Sequence, residues 1–224
     1  MGKIEFKVME PEFAVTEAMN TLRTNIIYSS DIKTINITST FSDEGKSTIS
    51  VQLARSFAEL GKKTLLVDCD LRKSSMLHRF HGGKKMEGLS ELLTGQSVKI
   101  IHSTDIENLS VICSGQIPPN PSELLSSQKF TVFIQALKEK YDYIILDAPP
   151  IGSVIDAAIT GRNSDGTLMV VRNDFTKKAA VKRAKQQMEQ SGCKLLGVIL
   201  NRVKKHQKDY YYYSGYYKYG YGEK

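Results

Sequence analysis

The chain is 224 residues long, 41% hydrophobic and 25% charged, and carries a formal net charge of +7. This length predicts one globular domain, or one domain followed by a tail. The N-terminus has no apolar signal core and no run of about 18 apolar residues occurs, so we expect neither a secretory leader nor a membrane span. The positive charge is consistent with nucleotide, nucleic acid or anionic lipid and selects none of them. Three widely spaced cysteines, Cys69, Cys113 and Cys193, fit neither a disulfide framework nor a zinc site, which favours a reduced, cytosolic setting.

Hydrophobic periodicity predicts helices that alternate with strands along the chain. Helices are expected over residues 11–29, 46–60, 130–140, 154–162 and 176–190, with shorter helical segments at 88–93 and from Ser122, which we expect to cap its helix. Strands are expected over residues 34–39, 63–68, 109–113, 141–147, 166–171 and 195–200. Strands that alternate with helices predict a doubly wound, mostly parallel α/β sheet.

A phosphate cradle is predicted where the first strand meets the second helix. The sequence Gly45-Lys46-Ser47-Thr48 opens that helix, whose first amides lack partners and carry partial positive charge. A triphosphate can bind there, with the Lys46 ammonium on the β/γ-phosphates and the Ser47 hydroxyl on Mg²⁺. Thr40 stands where the generic phosphate-loop pattern has glycine, and the alternative is an ordinary turn with an exposed lysine.

Three carboxylates follow buried strands. Asp68 ends the strand 63–68, and Asp70 follows it by two residues. Asp147 ends the strand 141–147 and is followed by Ala148 and two prolines. Ligands of open parallel sheets bind beyond the carboxyl ends of the strands, so these acids are expected beside the phosphates. One aspartate can orient or deprotonate an attacking hydroxyl, and the others can hold the water shell of Mg²⁺. The alternative for Asp68 and Asp70 is a structural role in capping a helix or ending a strand.

The last predicted helix, 176–190, is strongly basic. Its cations predict a solvated face or, less simply, a contact with a membrane surface or a partner; they are Lys177, Lys178, Lys182, Arg183 and Lys185.

From residue 204 the apolar periodicity stops, so we divide the chain into a domain, 1–203, and a low-complexity tail, 204–224. The tail has a charge of +3 and eight of the eleven tyrosines, namely Tyr210, Tyr211, Tyr212, Tyr213, Tyr216, Tyr217, Tyr219 and Tyr221. Three interpretations remain open: a functionless tail, a nucleic-acid-binding segment that stacks on bases, and a phosphoacceptor cluster. Each phosphotyrosine adds about −1.5 to −2 charges, so a few would reverse the sign of the tail and repel it from an acidic site.

Together and in this order, the motifs resemble the bacterial tyrosine kinases of capsular and exopolysaccharide biosynthesis, specifically the stand-alone cytoplasmic kinase of Gram-positive type. They are Gly45-Lys-Ser, Asp68-Cys-Asp-Leu-Arg72, the strand ending in Asp147 and the tyrosine-rich C-terminus. The segment Ile117-Pro-Pro-Asn-Pro-Ser-Glu-Leu-Leu also looks like a segment of that family.

The resemblance implies a P-loop NTPase fold and autophosphorylation of tail tyrosines, with ATP and Mg²⁺ as cofactors, largely between subunits of a homo-oligomeric ring. It implies activation by a transmembrane adaptor, hence a cytoplasmic, membrane-associated kinase, and no nucleic-acid partner. The implied catalytic set is Lys46, Asp68, Asp70 and Arg72, where Asp68 is the base or a water-mediated partner of the metal and Arg72 supports the loop. The implied metal set is Ser47, Asp70 and Asp147. The implied nucleotide-binding set is Glu44, Gly45, Lys46, Ser47, Thr48, Asn201 and Arg202, the last two near the base.

Two positions depart from the family pattern. Asp43 replaces a glycine of the phosphate loop; aspartate tolerates positive φ, but its charge would face phosphate and weaken ATP binding. The oligomerisation motif Glu-x-x-Arg-x-x-Arg is matched by Glu17 and Arg23, whereas Asn20 replaces the middle arginine. The alternative function is a partitioning or division-site ATPase, a class with a signature lysine where Phe41 stands and without a tyrosine tail.

Overall fold

The computed structural model describes residues 4–5, 12–29, 31–74, 76 and 86–203. Seven strands and seven helices follow one another along this part of the chain. The strands are β1 (Thr34–Ser39), β2 (Thr64–Asp68), β3 (His102–Ser103), β4 (Leu109–Ile112), β5 (Tyr143–Asp147), β6 (Gly166–Arg172) and β7 (Leu195–Asn201). The helices are α1 (Phe13–Ile27), α2 (Lys46–Glu59), α3 (Leu89–Thr94), α4 (Pro121–Ser126), α5 (Gln128–Lys138), α6 (Asp156–Arg162) and α7 (Lys178–Gln190).

The strands form one sheet in the order β3-β4-β2-β5-β1-β6-β7. Every pair is parallel except β3 and β4, and this two-residue antiparallel edge strand was not among the predicted elements. The prediction of a doubly wound, mostly parallel α/β fold of the P-loop NTPase class is confirmed. The chain order jumps from one side of β1 to the other, which places the ligand crevice of such sheets at the carboxyl ends of the central strands.

Both faces of the central strands are covered, so their side chains are buried on either side. All six residues of β1 and all five of β2 are buried, as expected for parallel strands that are covered on both faces. Leu66 and Ile145 pack on one face with α1 and α2. Leu65 and Ile144 pack on the other face with α3 and α5. A smaller cluster under α6 and α7 completes the core.

The start of α4 differs from the prediction. Asn120 is its N-cap and Pro121 is its first residue, a position that suits proline because the first helical amide has no partner within the helix. Ser122 therefore does not cap the helix, and its hydroxyl instead donates to Asp156 at 2.6 Å.

The three cysteines are free and buried, as expected for a chain without a disulfide framework. The described residues include no helix with the length and apolar character needed to cross a bilayer. The boundary at residue 203 and the tail 204–224, with its eight tyrosines, cannot be compared with the structure because 204–224 lie outside the described residues.

Candidate active site

The phosphate loop connects β1 to α2 in a left-handed turn. Asp43 and Gly45 have φ angles of 63° and 94°, so Asp43 does adopt the positive φ that its position in the motif requires. A Cβ at Gly45 would lie 2.2 Å from Nδ2 of Asn201, which restricts this position to glycine. Asp43 is exposed, whereas Ser47 at the start of α2 is buried. The first amides of α2 are thereby presented at the sheet edge.

The side chain of Glu44 braces this loop from inside the protein. It is fully buried, and its carboxylate accepts hydrogen bonds from the amide of Phe41 at 2.8 Å and the amide of Arg172 at 3.2 Å. The hydroxyl of Thr176 donates to the same carboxylate. These contacts tie the loop to the end of β6, so the Glu44 side chain points away from any bound phosphate, and only its backbone remains to contact one.

Lys46 lies among the three predicted carboxylates. Its Nζ atom is 3.4 Å from Oδ2 of Asp70 and 3.9 Å from Oδ1 of Asp147. Asp68 and Asp147 are paired in register on the neighbouring strands β2 and β5, and both are 1% exposed. The structure therefore brings Lys46, Asp68, Asp70 and Asp147 together at one edge of the sheet.

The site carries more negative than positive charge, and its pKa values reflect this. Burial, and then repulsion by Asp147, raise the pKa of Asp68 to about 7, against opposing effects of the Ser74 hydroxyl and Lys46. Burial also raises the pKa of Asp147, although Lys46 counteracts it. For Lys46, burial works to lower the pKa, but the fields of Asp147, Asp70 and Asp68 outweigh it and leave the pKa above its ordinary value.

The loop after β2 is held by its own carboxylates. Oδ1 of Asp68 accepts the amide of Asp70 at 3.1 Å, and Oδ1 of Asp70 accepts the amide of Lys73 at 3.0 Å. The hydroxyl of Ser74 donates to Oδ2 of Asp68. Oδ2 of Asp68 therefore accepts a hydroxyl group that comes from its own loop.

Arg72 points out of this cluster, toward α4 and α6. Its Nε atom donates to Oδ2 of Asp156 at 2.7 Å, and its Nη2 atom donates to the hydroxyl of Ser122 at 2.8 Å. Asp156 is fully buried, so this ion pair anchors the loop after β2 to the far side of the crevice. The geometry makes Arg72 a positioning residue of the Asp68–Asp70 loop.

Asn201 and Arg202 follow β7 at the same edge of the sheet. The side-chain amide of Asn201 donates to the carbonyl of Glu44 at 2.8 Å, so Asn201 also helps to hold the phosphate loop. Arg202 is exposed, and its φ is 57°. The loop after β5 closes on the same region, because the amide of Gly152 donates to the carbonyl of Thr40 at 3.2 Å and a Cβ there would lie 2.4 Å from it.

The side chains at this edge of the sheet fit a divalent cation that takes only part of its coordination shell from the protein and the rest from a bound ligand. Within the described ranges, no group of three His, Cys, Asp or Glu side chains is arranged to hold a metal ion. Mg²⁺ commonly takes only one or two protein oxygens and completes its shell with phosphate and water. Ser47, Asp70 and Asp147 supply hard oxygen donors next to the helix N-terminus. A divalent cation would also balance the excess negative charge of three buried carboxylates against one ammonium.

Several residues that contribute to the site were not predicted from the sequence. Ser50 donates to Oδ1 of Asp147 at 3.1 Å from the second turn of α2. Its position four residues after Lys46 could have suggested this, since such residues share a helix face. Asp156 and Ser122 lie far from Arg72 in sequence, and only the fold brings them to it.

The brace predicts a specific effect of Glu44→Gln. The new amide N–H₂ group would face the backbone N–H of Phe41 or of Arg172 and leave a buried donor without an acceptor. We expect a loss of about 2 kcal/mol in the free energy of unfolding by urea and nucleotide binding weakened by about tenfold. The exposed substitution Glu139→Gln is the control. Unchanged stability and unchanged nucleotide affinity in Glu44→Gln would contradict the brace.

Known proteins resemble this chain in sequence and in fold. Residues 32–189 match the model of a family described as an AAA domain. The tyrosine-protein kinase CpsD of Streptococcus agalactiae is 44% identical over 203 residues, which cover 89% of this chain and 89% of CpsD. The crystal structure of the chimerical protein CapA2B2 superposes with a TM-score of 0.83 at 38% identity, covering 90% of this chain and 94% of that one.

The septum site-determining protein MinD of Pyrococcus horikoshii OT3, complexed with Mg-ADP, superposes with a TM-score of 0.64 at 24% identity, covering 79% of this chain and 72% of that one. This likeness shows the fold alone, so the comparisons favour the kinase over the partitioning or division-site ATPase. The resemblance inferred from the motifs is confirmed: the chain belongs to the family of bacterial tyrosine-protein kinases.

Proposed function

We propose that this protein transfers the γ-phosphoryl group of ATP to tyrosines of its own C-terminal cluster and thereby regulates the synthesis of capsular or extracellular polysaccharide. The observation that carries the proposal is the convergence of Lys46, Asp68, Asp70 and Asp147 at the N-terminus of α2. Residues 1–203 form the catalytic domain in this scheme. Residues 204–224 supply the acceptors, Tyr210, Tyr211, Tyr212, Tyr213, Tyr216, Tyr217, Tyr219 and Tyr221.

The phosphate loop holds ATP in this proposal. The first amides of α2 and the Lys46 ammonium bind the β/γ-phosphates, with Gly45 and Thr48 lining the same turn and Asn201 and Arg202 near the base. Bound Mg²⁺, held by Ser47, Asp70 and Asp147, would neutralise phosphate charge.

Asp68 is the proposed base. Its buried carboxylate accepts the phenolic proton at the oxygen that now receives the Ser74 hydroxyl. The phenolic oxygen forms a bond to the γ-phosphorus as the bond to the bridging oxygen breaks, and ADP leaves. A pKa raised to about 7 by burial and by Asp147 makes this carboxylate a better proton acceptor than an ordinary aspartate.

The proposal includes a transmembrane adaptor whose cytoplasmic segment docks on the kinase and brings it to the membrane. The family resemblance supports this partner, and the absence of a membrane-crossing helix among the described residues is compatible with it.

Incubation with Mg²⁺-ATP and the adaptor segment, followed by phosphotyrosine detection, tests the proposed reaction. Lys46→Met should reduce phosphotyrosine at least a hundredfold, since it removes the only cation at the phosphate site within the described part of the chain. Lys99→Met, an exposed lysine, is the control and should retain the signal. A full-length chain with the eight tail tyrosines changed to phenylalanine should still phosphorylate an added peptide of residues 204–224. ATP hydrolysis without any phosphotyrosine would support the ATPase alternative instead.

We propose that the chain forms a ring through α1. Nδ2 of Asn20 donates to Oε1 of Glu17 at 3.2 Å, so the residue that replaces the motif's middle arginine still contacts its glutamate. Nη1 of Arg23 donates to the carbonyl of Ser56 in α2 at 2.6 Å. A cleft of about 260 Å³ lies between the two helices. Arg23 therefore fixes α1 to α2, and we assign the contact with another copy to the half-buried Glu17.

Glu17→Lys tests this assembly. The substitution reverses a charge on α1 without disturbing the Arg23 anchor, and we expect at least a tenfold weaker self-association by sedimentation. Glu107→Lys makes the same charge change at an exposed site and should leave association unchanged. Equal association of the two variants would contradict a ring contact at Glu17.

A further inference from the structure

The exposed side of α7 carries cations that the fold does not use. Ala180, Ala184 and Met188 face the core, so the basic residues point to solvent. Among the described residues, the only ion pair on this helix joins Lys185 to Glu189 at 3.6 Å. The remaining cations, here called the basic face of α7, are Lys177, Lys178, Lys182 and Arg183. A cationic surface without carboxylate partners indicates an anionic ligand.

Exposed apolar side chains lie on the same side of the sheet as this helix. Val198 and Leu200 of β7 are 50% and 54% exposed. They pair in register with Met169 and Val171, which pack beneath α6 and α7, so Val198 and Leu200 lie on the same side of the sheet as α7. Cations and exposed aliphatic groups on one side of the sheet suit a ligand with both phosphate groups and aromatic rings.

The described chain ends, at residue 203, close to the start of this face. Arg172 at the end of β6 pairs with Asn201 at the end of β7, and Lys177 follows Arg172 by five residues. Residue 204 follows Asn201 by three. Seven extended residues span up to about 25 Å, and the 13-residue helix α7 is about 20 Å long. Tyrosines from position 210 onward can therefore reach the whole basic face.

Charge decides which form of the tail binds. The unmodified tail carries +3 and is repelled by the basic face. Each phosphotyrosine adds about −1.5 to −2 charges, so three or more make the tail anionic. The same modification turns its attraction toward the acidic cluster of Asp68, Asp70 and Asp147 into repulsion.

We propose that the basic face of α7 is a docking site for the phosphorylated tail, residues 204–224. The inference rests on the proposed autophosphorylation and adds a destination for its product. Docking holds the spent tail away from the acidic catalytic cluster and leaves that cluster open to an unmodified tail. An anionic bilayer has the same charge but lacks the covalent connection that places the tail at this helix.

Binding of a synthetic peptide separates this proposal from the kinase proposal, because its phosphates are installed chemically. The peptide is residues 204–224, labelled, with phosphates on the tyrosines at 210–213 or with none. The protein is the full chain, kept free of nucleotide and shown by mass to be unmodified. Fluorescence anisotropy should show the phosphopeptide binding at least tenfold more tightly than the unmodified peptide, with strong weakening by salt.

Charge-matched triple variants locate the site. Lys178→Gln with Lys182→Gln and Arg183→Gln should weaken phosphopeptide binding at least tenfold. Lys62→Gln with Lys99→Gln and Lys140→Gln removes three exposed cations elsewhere and should weaken it less than threefold. Circular dichroism checks that both variants are folded. Lys46→Met should bind the phosphopeptide normally, since the proposed site is not the phosphate loop.

Three results would overturn the proposal. Equal loss in the two triple variants would mean attraction to net charge alone. Loss in Lys46→Met but not in the α7 variant would place the phosphopeptide in the phosphate loop. Binding to anionic phosphatidylglycerol vesicles that depends on α7, without binding of the phosphopeptide, would assign the basic face to a membrane surface. If the phosphopeptide binds but the chain never phosphorylates its own tyrosines, the proposed kinase activity is refuted and the proposed docking site is not.

Discussion

Asp68 and Asp147 end neighbouring strands in register, so the pairing of β2 with β5 forces two carboxylates together where water hardly reaches them. Isolated buried charges are strongly unfavourable, and only partners make such a site tolerable. Lys46 supplies one positive charge, and hydroxyl groups supply hydrogen bonds: Ser50 to Asp147 and Ser74 to Asp68. The negative charge that remains would be balanced by the divalent metal that a nucleotide brings with it.

Two further buried carboxylates, those of Glu44 and Asp156, fix the loops around the Asp68–Asp147 pair and lie outside that pair. Glu44 fixes the phosphate loop to the end of β6. Asp156 receives Arg72 and so fixes the Asp68–Asp70 loop to α4 and α6. In both cases a fully buried acid accepts several donors, which makes each connection rigid and costly to break. The buried carboxylates of Glu44 and Asp156 thus hold in place the loops that carry the groups proposed to bind nucleotide and to react.

The sequence was sufficient to predict the central strands, because β2 and β5 are apolar runs that end in an acid and β1 alternates β-branched with small polar residues. The two terminal acids indicated where the site lies. The sequence also indicated that Asp43 can adopt the positive φ that the structure shows, since aspartate tolerates this backbone conformation. It could not predict β3, because two residues carry no periodicity. The Arg72–Asp156 ion pair joins residues that are 84 positions apart, and the sequence around neither residue indicates that they pair. The interior direction of the Glu44 side chain depends on β6 and was missed for the same reason.

We expect Lys46 and the strand-end carboxylates to act as one unit toward nucleotide. A double-mutant cycle with Lys46→Met and Asp147→Asn, read out as Mg²⁺-ADP affinity by calorimetry, tests it most directly. Because the two side chains share a buried environment, we predict that the double variant binds at least tenfold more tightly than the product of the single losses implies, a coupling of about 1.4 kcal/mol. Single losses that simply add would show that the two groups act independently and would contradict the account.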